Sequence, residues 1–150
     1  YCAIADEICE QGRYGQKTSA GYYRYESGDR TPHRDPEIET LIESYSKKHG
    51  INRRQIDADE IVERTIYALV NEGAKILEEG IAQRASDIDV IYVNGYGFPA
   101  SLGGPMQYAD SIGLDKVYQR VCEFADADSY SWQPANLLRE LAKSGGSFNT

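Results

Sequence analysis

A chain of 150 residues has room for one ordinary domain, or for one domain with a piece of another attached. Its net charge of −8 denies it the basic footprint that nucleic acid requires, and no apolar run approaches the length of a membrane span. Cys2, Cys9 and Cys122 are odd in number and lack metal-ligand spacing, so reduced thiols are expected, with neither a disulfide framework nor a metal site.

In chain order, Tyr1 to Glu10 opens with no start methionine or cap, and Ala3, Ile4, Ile8 and Cys9 recur at helical spacing. It resembles the tail of a helix whose beginning is missing, and the chain is expected to be a fragment of something longer. GRYGQKTSAGYYRY follows, with glycines at 12, 15 and 21 among four aromatic residues. Residues 11–34 hold five bases against Glu26 and Asp29, which makes this the one basic region of an acidic chain. It could face an anionic ligand; a solvated charged loop is the competing reading. Gly15-Gln16-Lys17-Thr18 fails as a nucleotide loop, because Gln16 separates the glycine from the lysine and no apolar strand precedes. The polar run Glu26 to Asp35 has the composition of a linker, and Pro36 then starts a helix through Ile38, Leu41, Ile42 and Tyr45, closed by His49-Gly50.

Asp57, with Glu60 three residues on, caps the longest helix, expected over Asp59 to Glu79. Ile61, Val62, Ile66, Leu69, Val70, Gly73, Leu77 and Ile81 are its expected apolar face, and Gly80 its left-handed stop. Ser86 and Asp89 form a second capping box, launching a helix through Ile88, Val90, Ile91 and Val93 that fails at Asn94-Gly95. Gly95-Tyr96-Gly97 begins like a dinucleotide fingerprint, but it follows a helix and lacks the third glycine, so it is a turn. Pro105 restarts the chain as a helix ending at Ile112-Gly113. Asp115 can cap another through Val117, Val121 and Phe124, and a last one carries Leu137, Leu138 and Leu141 before Gly145-Gly146. The sum is an all-α fold, a helical bundle wrapped around one long central helix.

The stretch VNEGAKILEEGIAQRASDIDVIYVNGYGFP, followed by GGPMQYAD and IGLD, resembles the C-terminal domain of the 3-hydroxyacyl-CoA dehydrogenases. It is most similar to the second copy of that domain in multifunctional fatty-acid β-oxidation enzymes. The resemblance implies a division into 1–25, the tail of the first copy, 26–56, a linker with one helix, and 57–150, the second copy. The family usually has glycine after the threonine of the first segment; this chain has Ser19. The parent is then expected to oxidise 3-hydroxyacyl-CoA to 3-ketoacyl-CoA with NAD, alongside an enoyl-CoA hydratase region. The end, KSGGSFNT, resembles the natural terminus of such enzymes and is not a Ser-Lys-Leu peroxisomal address, which favours a bacterial cytoplasm, with a mitochondrial matrix as the other expectation.

By the same resemblance, the NAD site and the catalytic His–Glu pair lie upstream of the residues present. A substrate-contacting asparagine in an I-V-N-R pattern corresponds to Glu63 in Ile61-Val62-Glu63-Arg64, and an acceptor-only carboxylate is repulsive near a developing oxyanion. No catalytic or cofactor-binding residue is therefore expected, and the fragment alone is expected to be inactive. His33 sits in the linker and His49 at a helix end, where the dipole favours it without any chemistry. Glu78-Glu79, Asp87/Asp89 and Asp126/Asp128 each have simpler roles as solvated face, cap or loop. The expected job is architectural: packing against the sister copy and the Rossmann domain of the parent, or self-association when separated. The alternative is an acyl-CoA binding module, with Arg13 and Lys17 as candidate contacts to the coenzyme phosphates and Tyr96 and Phe98 to the CoA or acyl part.

Overall fold

The computed structural model describes residues 3–149, so Cys2 and the first residues of the expected opening helix lie outside it. The chain divides into two compact units, Tyr1–Gln55 and Ile56–Thr150. Among the described residues there are seven α-helices and no strand, only isolated antiparallel bridges at Gly15–Ala20, Ala20–Arg24 and Arg24–His33. The all-α expectation holds.

The first unit contains α1 (Ile4–Glu10), a 3-10 turn (Gln16–Thr18) and α2 (Pro36–Lys48). Ile8 of α1 and Ile38 and Tyr45 of α2 are its buried apolar side chains. Asp35 caps α2 by accepting the Glu37 N–H at 3.1 Å, and Pro36 takes the first helical position, where a missing N–H is harmless. The Tyr45 hydroxyl accepts the Ala3 N–H at 3.0 Å and so ties α2 to the start of α1.

The second unit is built on α3 (Ala58–Glu78), with α4 (Ala85–Gly95), α5 (Pro105–Ile112), α6 (Leu114–Ala127) and α7 (Asn136–Ser144). Asp57 caps α3 as expected, accepting the Glu60 N–H at 2.8 Å. Its far end closes on Gly80 at φ 69°, where the Gly80 N–H reaches Leu77 O and the Ile81 N–H reaches Ile76 O. Those two bonds satisfy carbonyls the helix would otherwise leave open.

The buried face of α3 is Tyr67, Val70, Asn71, Gly73 and Ala74. Ile61, Val62 and Ile81, expected on it, are exposed. Ile61 lies nine residues from Val70, half a revolution away at 100° per residue, so hydrophobicity alone mistook the phase there. The main core joins Tyr67, Val70 and Ala74 of α3 to Val117, Val121 and Phe124 of α6, and to Trp132, Ala135 and Leu138 at and before α7. A second, smaller cluster holds Ala85 and Ile88 of α4 with Met106 of α5.

Two expected caps are displaced. Helix α4 starts at Ala85, so Ser86 is already inside it and its N-cap position, Arg84, makes no side-chain capping bond. Helix α6 starts at Leu114, which makes Asp115 a first-turn acid, favourable to the helix dipole, and not the cap.

Candidate functional site

Glu63, the position in question for chemistry, sits on α3 with its Oε2 accepting from Arg120 Nε of α6 at 2.6 Å. Arg120 also donates to Glu123 at 2.6 Å and stacks over the Phe124 ring, while Arg64 covers the same ring from 4.2 Å. Glu123 and Glu63 together raise the Arg120 pKa and hold the guanidinium firmly charged. Burial, with the Glu63 charge beside it, pushes the Tyr67 phenol up. Glu63 is therefore engaged as half of an interhelical ion pair. An acidic side chain so occupied supplies neither an amide donor nor a free base.

The carboxylates of the second unit have more specific work than composition suggested. Asp89, 5% exposed, accepts the N–H groups of Met106 at 2.7 Å and Gln107 at 3.1 Å, and so caps α5 and not its own helix. Burial pushes the Asp89 carboxyl up, the Asp110 charge adds to that, and the two backbone N–H groups and the Asn149 amide oppose it. Glu78 is no idle solvated residue: its Oε1 accepts the Leu137 N–H in the first turn of α7. Asn71, buried on α3, donates to Gln133 O at 2.9 Å and accepts the Ala135 N–H at 2.8 Å. Three side chains distant in sequence thus start α5 and α7, a relation that local capping patterns do not contain.

In the first unit, Arg13 and Lys17 have different surroundings. The Arg13 guanidinium pairs with Asp35 and donates to Gly21 O at 3.0 and 3.2 Å, leaving its side chain 14% exposed. Arg13 holds the Asp35 carboxyl below its ordinary value. Lys17 stands exposed on the 3-10 turn. A cleft of about 910 Å³ opens between Ile8 and Cys9 of α1, Ile38 and Ile42 of α2 and the rings of Tyr14, Tyr22, Tyr23 and Tyr25. Arg13 borders it and Lys17 does not. The cleft's other charges are matched too, Arg34 pairing with Glu39 at 2.6 Å. Ser19, where the family usually has glycine, is in the left-handed region at φ 57°, the one non-glycine there among the described residues.

The aromatic turn at the end of α4 is open to solvent. Tyr96 is 76% exposed beside Tyr92, while Phe98 meets Tyr108 edge-on at 6.4 Å. Gly97 takes φ 74° and a 3-10 turn (Ala100–Leu102) follows, so this glycine pair finishes a helix and does not launch one. That is the reverse of a pyrophosphate cradle, in which a helix N-terminus receives the phosphates, so this turn does not fit a dinucleotide. Along α4 itself, Ile88 turns inward while Val90 and Ile91 stand 59% and 57% exposed. This helix is apolar on both sides, and only one side is covered.

His49 stacks on Tyr45 at 4.2 Å, and His33 exchanges backbone hydrogen bonds with Arg24. Among the described residues no group of three or more His, Cys, Asp and Glu side chains could hold a metal ion. Among the same described residues no helix is long and apolar enough to cross a membrane.

Residues 61–147 match the family model of the 3-hydroxyacyl-CoA dehydrogenase C-terminal domain. The chain is 46% identical over 97% of its length to a peroxisomal bifunctional enzyme of Danio rerio, covering 21% of that protein. To the peroxisomal bifunctional enzyme of Homo sapiens it is 42% identical over 97% of its length and 20% of the relative's. Among solved structures it is similar to the dehydrogenase part of multifunctional enzyme 1 from C. elegans, with TM-score 0.65, 29% identity, and coverage of 91% of this chain and 32% of that one. The chain spans about a fifth of the length of these curated relatives. The expectation of a bacterial cytoplasm or mitochondrial matrix is overturned by these peroxisomal relatives; it rested on the last residues of the sequence alone. The chain belongs to the family of the 3-hydroxyacyl-CoA dehydrogenase C-terminal domain.

Proposed function

We propose that the chain is the helical C-terminal part of a multifunctional β-oxidation enzyme whose dehydrogenase oxidises 3-hydroxyacyl-CoA to 3-ketoacyl-CoA with NAD, with an enoyl-CoA hydratase region elsewhere in the same protein. In this reading residues 1–25 close the first copy of the helical domain, 26–56 are a linker with one helix, and 57–150 are the second copy. The chemistry lies in the Rossmann domain of the parent. The second copy supplies a packing surface for its sister copy and for the dehydrogenase core.

The observation that carries this is α4. A helix that buries Ile88 and leaves Val90 bare on the opposite side, with Ile91 bare on the flank between, is shaped to be covered twice, once by its own unit and once by a partner. The Glu63–Arg120 pair supports it, because the position that would carry a substrate amide is spent on joining α3 to α6. Light scattering of the 150-residue chain across a concentration series is the test. The expected result is a dimer that reverts to monomer when Val90 and Ile91 are both replaced by glutamate. A monomer at every concentration, with no change on substitution, would overturn the packing role.

A second reading is favoured by the tyrosine-lined cleft of about 910 Å³. Its matched charges and apolar wall suit an acyl chain, with the exposed Lys17, and not the Asp35-paired Arg13, left to meet the coenzyme phosphates. Titration with an acyl-CoA separates the readings: saturable binding weakened by Lys17→Ala would favour this one.

A further inference from the structure

Past α7 the chain reverses. Gly145 takes φ 66°, the Gly146 N–H bonds Leu141 O at 2.9 Å, and Ser147 to Asn149 then run back over the unit. Asp110 of α5 receives them with both carboxylate oxygens. It accepts the Phe148 N–H at 2.8 Å, the Asn149 N–H at 3.1 Å and the Asn149 side-chain amide at 3.1 Å. Three donors on one carboxylate make a charge-assisted clamp, stronger than a tail held by neutral bonds. The clamp fixes Phe148, whose half-buried ring packs against both apolar clusters, the large one around α3, α6 and α7 and the small one between α4 and α5. Phe148 also walls a cavity of about 450 Å³ beside Leu77, Ala85 and Leu141.

The two clusters are unequal. Among the described residues the small one has only Ala85, Ile88 and Met106 as buried members, whereas the large one has eleven. Helix α4 also lacks a side-chain N-cap, and its outer face is bare. With so few buried members, the ring of Phe148, packed there beside Ile76, Leu77, Ala82 and Tyr92, is a substantial part of what holds α4.

We propose that Ser147–Asn149 is a latch. Asp110 seats Phe148 as a wedge between the clusters, and withdrawing the wedge loosens α4 while α3, α6 and α7 stay packed. The strap thereby sets how firmly α4 presents its outer face, independently of what covers that face.

Hydrogen exchange followed by mass spectrometry on the 150-residue chain tests this. Asp110→Asn should speed exchange over residues 85–95 by about tenfold, with residues 117–124 of α6 unchanged within about twofold. Phe148→Ala should do the same, and Phe148→Leu, which keeps an apolar wedge, should restore most of the α4 protection. Equal acceleration of α4 and α6 in these variants would show a part of the general core and not a latch. Unchanged exchange in α4 would overturn the proposal outright. Phe148→Leu keeps both outcomes readable if the alanine variant does not fold.

Discussion

Asp89 Oδ1 accepts the backbone N–H of Met106 at 2.7 Å, so a side chain of α4 begins α5 across the whole Gly-Tyr-Gly-Phe-Pro turn. Gly104 makes the approach possible: it holds φ 115°, and a Cβ there would stand 2.4 Å from the Asp89 Cβ. Asp89→Ala removes the acceptor for two N–H groups in a buried site and should destabilise the second unit by about 2 kcal/mol. Asp89→Asn retains one acceptor and should lose less. Urea denaturation followed by circular dichroism ranks the three proteins, and equal stability of all three would refute the capping role.

A second prediction concerns the crossing of α3 and α5. A Cβ on Gly73 would fall 2.6 Å from Met106 Sδ, in a place where Met106 is fully buried. Gly73→Ala should therefore cost about 1–3 kcal/mol through overpacking, despite alanine's better helix propensity. Shortening the obstructing side chain is the check. In a double-mutant cycle with Met106→Ala, the penalty of Gly73→Ala should shrink; a penalty that stays constant would place its origin elsewhere.

The Arg13–Asp35 pair gives the first unit a pH dependence. Arg13 lowers the Asp35 carboxyl below its ordinary 3.8, burial opposes this, and the Glu37 N–H adds to the lowering. A folded-state pKa below the unfolded one means stability that is complete above the unfolded value and lost as pH falls through the folded one. Exchange protection of α1 and α2 should thus fall off in acid below about pH 4. Arg13→Ala should abolish that titration step and weaken the unit by about 1–3 kcal/mol, because Asp35 is left buried without its cation. Loss of ligand binding in Arg13→Ala would therefore be ambiguous, whereas Lys17→Ala, at an exposed site, tests phosphate contact alone.

Glu63 and Arg120 are each about a third exposed, so solvent screens the pair. Glu63→Gln should change stability by less than about 1 kcal/mol. Glu63→Asn, which puts an amide in this place, should give the chain no affinity for a 3-hydroxyacyl-CoA that the unsubstituted chain lacks. Tighter calorimetric binding in that variant would reopen a substrate role for this helix.

Much of the fold was legible. Periodicity and the Asp57 cap placed the long helix within a residue at each end, and proline or glycine marked the starts of α2 and α5 and the end of α7. The errors have a common cause. Ser86 and Asp89 match a local capping box, yet the fold spends Asp89 on α5, and Glu78, apparently a surface acid, on α7. Ile61 and Val62 pass any hydrophobicity count and still face outward. Spacing reports what a residue can do within its own helix, while these roles depend on which helix crosses which. Arg13 illustrates the same limit for the candidate site: its charge pointed to an anion, and the anion it meets is Asp35, 22 residues away in its own chain.

Helix α7 has no side-chain cap of its own; Asn71 and Glu78, both on α3, hold its entry through Gln133, Ala135 and Leu137. During synthesis those two side chains leave the ribosome some sixty residues ahead of the groups they bind. Until then the Asn71 amide has only water for a partner, and the central helix has no lid over its apolar stripe. The nascent chain must wait for α7 before α3 is finished, so a stall or truncation before Leu137 would yield a helix-rich intermediate exposing that stripe, the kind of species that chaperones hold and proteases remove.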